Sequence, residues 1–491
     1  MGRVLSLAVC VWAVASVARA ESLSVGPGQR FATPCAAVAR ANPQDVIEIA
    51  AGTYTDSCAL NVEGLTLRGI GGRPTIDLSG TDHPAQYKAI YVISAPDVTV
   101  ENLELTGAHV SDANGANAAA LRIEAGGLRV LSCDIHDNQN GILGGSSGSV
   151  TIEHSVFYNN GLGDGCNGAG CTHNVYIGEV DALYFRFNWS HHVATDTDDK
   201  GHLLKSRAKQ NFVLYNRLTG EDGYDSYEID LPNGGLAVIV GNVVQKGKRA
   251  GNGTSVSWGE EGVKHPDARV FLINNTIVSA LSSGRFMYAK GAELTLQNNL
   301  FVGQGVMAPA DLPASNLLVD DAHFVDAAQH DYRLAADSPA RGRAAEVAAV
   351  ADLPLRPAFE YVHPAGDRAR PSVRDVGAFE YVAAAGSEPD ERDAGVADHD
   401  KMDAAVSIAG AGGSVNAGAG AGAAGETAAG RPGSSPAAEA GASASGETDA
   451  VGDGCGCYAV GAPYRGGGGE LSVLCVVAAV LWLCRRRRCR D

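Results

Sequence analysis

Basic residues are scarce in this chain: 38 Lys and Arg stand against 56 Asp and Glu, a formal charge of −18. No basic stripe appears before the extreme C-terminus, which excludes a surface built for nucleic-acid phosphates. The acidic balance suits extracellular life and divalent cations instead. Aromatic residues make up 6% and charged residues 19% of 491, while glycine is abundant at 62. That composition favours many short strands and tight turns over a helical bundle. Long apolar runs are also missing. The N-terminal run of about 13 residues and the C-terminal one of about 14 both fall short of the roughly 20 that a permanent helical span needs.

What is present begins with Arg3, an apolar stretch and the small-residue pattern Ala18-Arg19-Ala20. Residues 1–20 therefore read as a secretory signal. Export permits disulfides, and Cys35 with Cys58 and Cys166 with Cys171 are the expected pairs, leaving Cys133 as a buried rung residue.

One phrase then recurs: apolar, any residue, apolar, followed by Asn or a small polar residue. It starts at Val98, Leu128, Val150, Leu183, Phe212, Ala237, Val270 and Leu294, at intervals of 30, 22, 33, 29, 25, 33 and 24 residues. A constant phrase at variable spacing predicts coils that keep their strands while loops of different length leave at a corner. Asn102, Asn188, Asn216, Asn242, Asn275 and Asn299 are expected at that corner, give or take one position, where Asn tolerates left-handed backbone and its amide can bond from coil to coil. A second strand about eight residues earlier aligns Ile142, Val175, Leu204, Ile229 and Phe286 as an inward column. Alternation then turns Tyr176, Lys205 and Asp230 outward as one column, and Asn174, Leu203 and Glu228 as the next.

The opening, with a short helix at residues 35–41 followed by VIEIAAGTY and LTLRGIG, resembles the N-terminal cap of the pectin-lyase-like superfamily. The phrases around Asp331 and ending at Tyr381 resemble its final coils. The resemblance implies an all-β fold, a right-handed single-stranded parallel β-helix over residues 21–383 whose cap helix covers the open end. Residues 384–453 are Ala, Gly, Ser, Glu and Asp with almost no large apolar side chain, which predicts a disordered linker. Residues 454–491 hold Cys455 and Cys457, the short apolar segment and an Arg cluster. This tail resembles the C-terminal sorting signals of myxobacterial surface proteins and implies sorting machinery or lipid as partner. The expected location is secretion followed by attachment to the outer cell surface or outer membrane, as a monomer.

Chemistry concentrates in residues 202–235, HLLKSRAKQNFVLYNRLTGEDGYDSYEIDLPNGG. Abstracting the C5 proton of a uronate requires neutralising the adjacent carboxylate, which calls for a base beside cations or a metal. Lys205-Ser206 with Asn211 resembles the chondroitinase B and alginate lyase family. That likeness implies a polysaccharide lyase, or a C5 epimerase sharing the proton abstraction, acting on acidic polysaccharide. The later basic residue of that family is replaced here by Glu228 and Asp230. The expected catalytic set is Lys205 as base, Arg207 neutralising a carboxylate, Tyr176 as proton donor, and His202. Asn174 and Trp258 are the expected substrate contacts, and Glu228 and Asp230 hold either Lys205 or a calcium ion. Asp196, Asp198 and Asp199 form a second calcium candidate. The competing reading is a non-catalytic carbohydrate-binding or adhesin-like surface protein, in which the charges form a salt-bridged ladder.

Overall fold

The structure is a computed structural model and describes residues 20–161, 172–194, 201–307, 309 and 312–383. The secretory signal before residue 20, Cys166 with Cys171, the Asp196–Asp199 run, the linker and the C-terminal tail lie outside the described residues. No described helix is long and apolar enough to cross a membrane.

Short β-rich segments separated by turns cannot bury their apolar residues singly, so they stack. Three parallel sheets result, of 11, 11 and 9 strands, and each turn of chain contributes one strand to each in rotation. Sheet 1 begins at Ser22–Val25, sheet 2 at Thr53–Tyr54 and sheet 3 at Cys58–Leu60. This is the expected right-handed parallel β-helix, whose crossovers obey the usual handedness of parallel connections. One apolar core fills the coil, with inward columns such as Val100, Val130 and Ile152 from sheet 1 and Leu105, Ile135 and Phe157 from sheet 2. The cap helix is Pro34–Val38, shorter than expected, with Pro at its start and the Thr33 hydroxyl accepting from the Ala36 amide. Cys35 bonds Cys58, and Cys133 is free and buried.

Polar groups inside the coil are satisfied by a ladder of amides. The Asn216 side-chain oxygen accepts from both the backbone and the side-chain nitrogen of Asn188, at 2.9 and 3.1 Å. The pattern repeats through Asn242, Asn275, Asn299 and Asn316. Ser155 and Cys133 continue the column in the earlier coils, since the Cys133 amide donates to the Ser155 hydroxyl and the Ser155 amide to Asn188. Two details refine the sequence reading. The left-handed residue is the one before the ladder Asn in five coils: Phe187, Tyr215, Asn274 and Asn298 all have positive φ, as does Gly241. A Cβ on Gly241 would meet the Tyr215 ring at 2.5 Å. Asn102 itself occupies this left-handed position, one place before the ladder column, and donates to the Gly69 carbonyl.

Register also corrects two alignments. Asn211, not Phe212, pairs with Leu183 and Ala237, and Met287, not Phe286, follows Val256 in the inward column of sheet 3. Phe212 instead faces outward and packs with Tyr215, Val238, Phe271, Leu355 and Phe359. The segments around Asp331 and Tyr381 do not add parallel rungs. The Asp331 segment pairs antiparallel, Phe324–Asp326 with Asp331–Leu334; a second antiparallel pair, Phe359–Val362 with Gly366–Ala369, precedes residues 370–381, which carry no strand. The chain then retraces the outside of the coil: the Gly377 amide donates to Asn298, and His154 meets the Ala365 carbonyl across 211 residues. Apolar residues on the outer faces of sheets 1 and 2 explain the return, because they need cover.

Candidate functional site on the outer face of sheet 3

Strands Val175–Ile177, Leu204–Ser206 and Ile229–Leu231 are successive rungs in register. Tyr176, Lys205 and Asp230 therefore stand side by side on the outer face at the strand spacing of about 4.8 Å, as the alternation predicted. Arg207 lies just past its strand and reaches back over the same face. Its Nε donates to the Tyr176 hydroxyl at 2.8 Å and its Nη1 to the Asn233 side-chain oxygen at 2.6 Å.

The turn after Trp258 folds over these cations. Its Glu261 carboxylate accepts from Arg207 Nη2 at 2.7 Å and lies 3.3 Å from Lys205 Nζ. Backbone bonds pin the turn, Glu261 N to the Pro232 carbonyl at 3.2 Å and Lys264 N to the Asn233 carbonyl at 2.8 Å, while His265 Nε2 sits 3.0 Å from the Arg207 carbonyl. Lys205 is only 5% exposed as a result, and its ammonium also lies 3.3 Å from Asp230.

Burial alone would lower the Lys205 pKa, but the Asp230 and Glu261 carboxylates outweigh it and raise the value. This favours the protonated form of Lys205 and weakens it as the base expected from the sequence. Burial pushes the Asp230 carboxyl up to about 6 even though Lys205 pulls it down. His202 lies 3.6 Å from Asp230 and 3.0 Å from His173, nitrogen to nitrogen. Burial, and then the Lys205 charge, hold both imidazoles well below the ordinary histidine range, so both are neutral at pH 7.

Three expected site residues face elsewhere. Asn174 is fully buried in a second amide ladder, accepting from Asn160 at 3.0 Å and donating to Ser190 at 3.1 Å. Glu228 is fully buried and 3.0 Å from Lys246, which is sealed in the coil. Both residues precede their strands at the corner, where strict alternation does not apply. Trp258 pairs in register with Leu231, points inward and donates to the Gly235 carbonyl at 2.8 Å, so it offers no surface for a sugar. Glu228 and Asp230 engage different lysines and do not converge, and among the described residues no group of three His, Cys, Asp or Glu is gathered for a metal. The pair therefore does not fit a calcium ion. The sequence reading missed Glu261, Asn233, His265 and Lys246. The adjacent acids Glu260-Glu261 in a short turn one coil beyond Lys205 were the available signal.

No family model matches the chain, and no curated protein matches it in sequence. Several solved structures are similar. A pectate lyase has a TM-score of 0.47 at 16% identity, covering 74% of this chain and 97% of its own. An alginate lyase from a Paenibacillus species has a TM-score of 0.40 at 18% identity, covering 61% and 97%. A pectin methylesterase from Erwinia chrysanthemi has a TM-score of 0.33 at 12% identity, covering 64% and 96%. The fold itself rests on the strand pairing described above.

Proposed function

We propose that this chain acts on acidic polysaccharide at the outer face of sheet 3, as a lyase or uronate C5 epimerase. One observation carries the reading: Lys205 and Arg207 jointly hold a single carboxylate, that of Glu261, 3.3 and 2.7 Å from their nitrogens. A uronate carboxylate replacing Glu261 would meet the same two cations, and its neutralisation would acidify the C5 proton. Lys205 then acts as a charge neutraliser rather than as the base. Tyr176, partly exposed at this seat with its oxygen accepting from Arg207, takes the C5 proton as its phenolate and passes it to O4, which regenerates the phenolate. In elimination the proton leaves C5, the C4–O4 bond breaks, the double bond forms between C4 and C5, and a proton ends on O4. In epimerisation the Tyr176 oxygen keeps the C5 proton and a water proton is added to the opposite face of C5. Calcium remains a proposal for Asp196, Asp198 and Asp199, and secretion with surface attachment through the C-terminal tail remains the proposed location.

The test is incubation with alginate, pectate and glycosaminoglycans, following ultraviolet absorbance of an unsaturated product and solvent exchange at C5. Tyr176→Phe keeps the ring and is expected to lose about 10²- to 10⁴-fold of turnover while still retaining the glycan. A second reading, non-catalytic binding, is favoured by the fact that Glu261 already satisfies both cations. Retention of a uronate polymer without absorbance change or exchange would select binding over catalysis.

A further inference from the structure

A cleft of about 530 Å³ opens on a different face, between sheet 2 and the returning C-terminal segment. Its floor comes from successive rungs, because Trp189 pairs in register with Arg217 and Arg217 with Val243. Its walls include Tyr332, Tyr361 and His363 from residues far along the chain, and Arg333 and Arg368 stand at the rim.

Arg217 is the anomaly. Its side chain is 11% exposed, and its contact with Glu221 is long, at 3.5 Å. The guanidinium also lies over the Trp189 ring, 5.5 Å from its centre. Its Nε is buried with no hydrogen-bond partner. The other two arginines are paired, Arg333 with Asp331 at 2.6 Å and Arg368 with Glu360 at 2.5 Å. A guanidinium offers a rigid fork of five donors that matches a carboxylate, and a buried donor without an acceptor is costly. Glu221 also lines the cleft and is, among the described residues, the one carboxylate on Arg217, Asp331 being paired with Arg333; beside them stands an aromatic wall, in which Trp189 meets the His363 ring edge to face at 4.4 Å and Tyr361 and Tyr332 are buried. The volume falls in the range of small-ligand sites, and the lining sets charged side chains against an aromatic wall.

We propose that this cleft is a second glycan site, holding a carboxylated sugar unit with its carboxylate on Arg217 and its ring against the aromatic wall. It rests on the acidic-polysaccharide reading for the class of polymer, but uses no residue of the sheet 3 face. Such a site would hold a long chain at a second point on the coil while another stretch lies on sheet 3.

The experiment titrates the full chain with oligogalacturonate, oligomannuronate, a neutral cello-oligosaccharide and inorganic phosphate, by calorimetry and tryptophan emission. Trp189 reports on the cleft, whereas Trp258 is sealed in the core. The acidic oligosaccharides are expected to bind and shift emission, the shift vanishing in Trp189→Phe. Arg217→Gln should weaken them about tenfold or more, with turnover of short uronates unchanged, and Arg217→Lys should recover part of the loss as a point charge. Equal binding of the neutral oligosaccharide or of phosphate overturns the proposal, as does wild-type affinity in both Arg217 variants. Arg217-dependent binding without turnover on any uronate would sink the sheet 3 catalytic reading and leave this one standing. Turnover with affinity and emission indifferent to Arg217 and Trp189 would do the reverse.

Discussion

Two lysine–carboxylate clusters lie back to back across the strand Ile229–Leu231. Inside the coil, Lys246 lies 3.0 Å from Glu228 and 3.7 Å from Asp225, and all three side chains are fully buried. Outside, Lys205 lies 3.3 Å from both Asp230 and Glu261. The chemistry is the same, but the inner cluster is closed on every side by the coil, whereas the outer one is covered only by a turn, residues 259–265. Burial pushes the Glu228 carboxyl well above its ordinary range, with Lys246 opposing. Glu261, by contrast, is held below its range because Lys205 and Arg207 outweigh its burial. A sealed ion cluster serves the fold, whereas one covered by a single turn has only that turn between it and a ligand.

The largest expected effect tests the inner cluster. Lys246→Ala should cost about 3–5 kcal/mol, since it leaves buried acids uncompensated, and a denaturant midpoint will measure it. Lys205→Ala should cost clearly less, and equal losses would erase the distinction between sealed and covered.

Next comes the pH dependence of the outer cluster. Asp230 has a folded pKa raised to about 6, so it binds its proton more tightly folded than unfolded. Its contribution is therefore present below about pH 4 and lost as pH rises through about 6, by roughly 3 kcal/mol at most. Stability profiles of the parent and Asp230→Asn should differ in slope across that window. Identical slopes would mean that Asp230 titrates normally and is less enclosed than described.

An uncharged control follows. Asn242→Ala strips the acceptor used by the Asn216 backbone and side-chain nitrogens, both at 2.9 Å. A loss of about 1–3 kcal/mol is expected. A cost matching Lys246→Ala would show that enclosure alone, not charge, sets the penalty.

The smallest effect concerns the cover. Glu261→Gln should cost no more than about 1 kcal/mol, because the amide oxygen still accepts from Arg207 and Asp230 still faces Lys205, while oligouronate affinity by calorimetry rises. Unchanged affinity would mean that ligands do not use the seat Glu261 occupies.

How much of this was legible depended on the reach of each contact. The outward column Tyr176, Lys205 and Asp230 follows from two-residue alternation within short strands and a repeated phrase, so it was readable. Asn174 and Glu228 were misplaced because they stand at corners, one residue outside the strand that defines the alternation. Phe212 and Phe286 show the same weakness, since variable loops shift the start of a strand by one residue without disturbing its composition. The protonation of Lys205 depends on Asp230, legible as its neighbour in the column, and on Glu261, 56 residues away, which was not legible.

The sequence by itself determined the coil, the amide ladder, the Cys35–Cys58 bond and which residues share the sheet 3 face, because stacking repeats turns local period into global position. Only the tertiary structure decided which carboxylate meets which lysine, that a turn covers the cations, and that the C-terminal segment returns to wall a cleft around Arg217. The physical reason is that strand alternation is encoded between neighbours in the chain. Enclosure and charge pairing are set by loops and segments that come from tens to hundreds of residues away, and nothing in their local pattern records where they land.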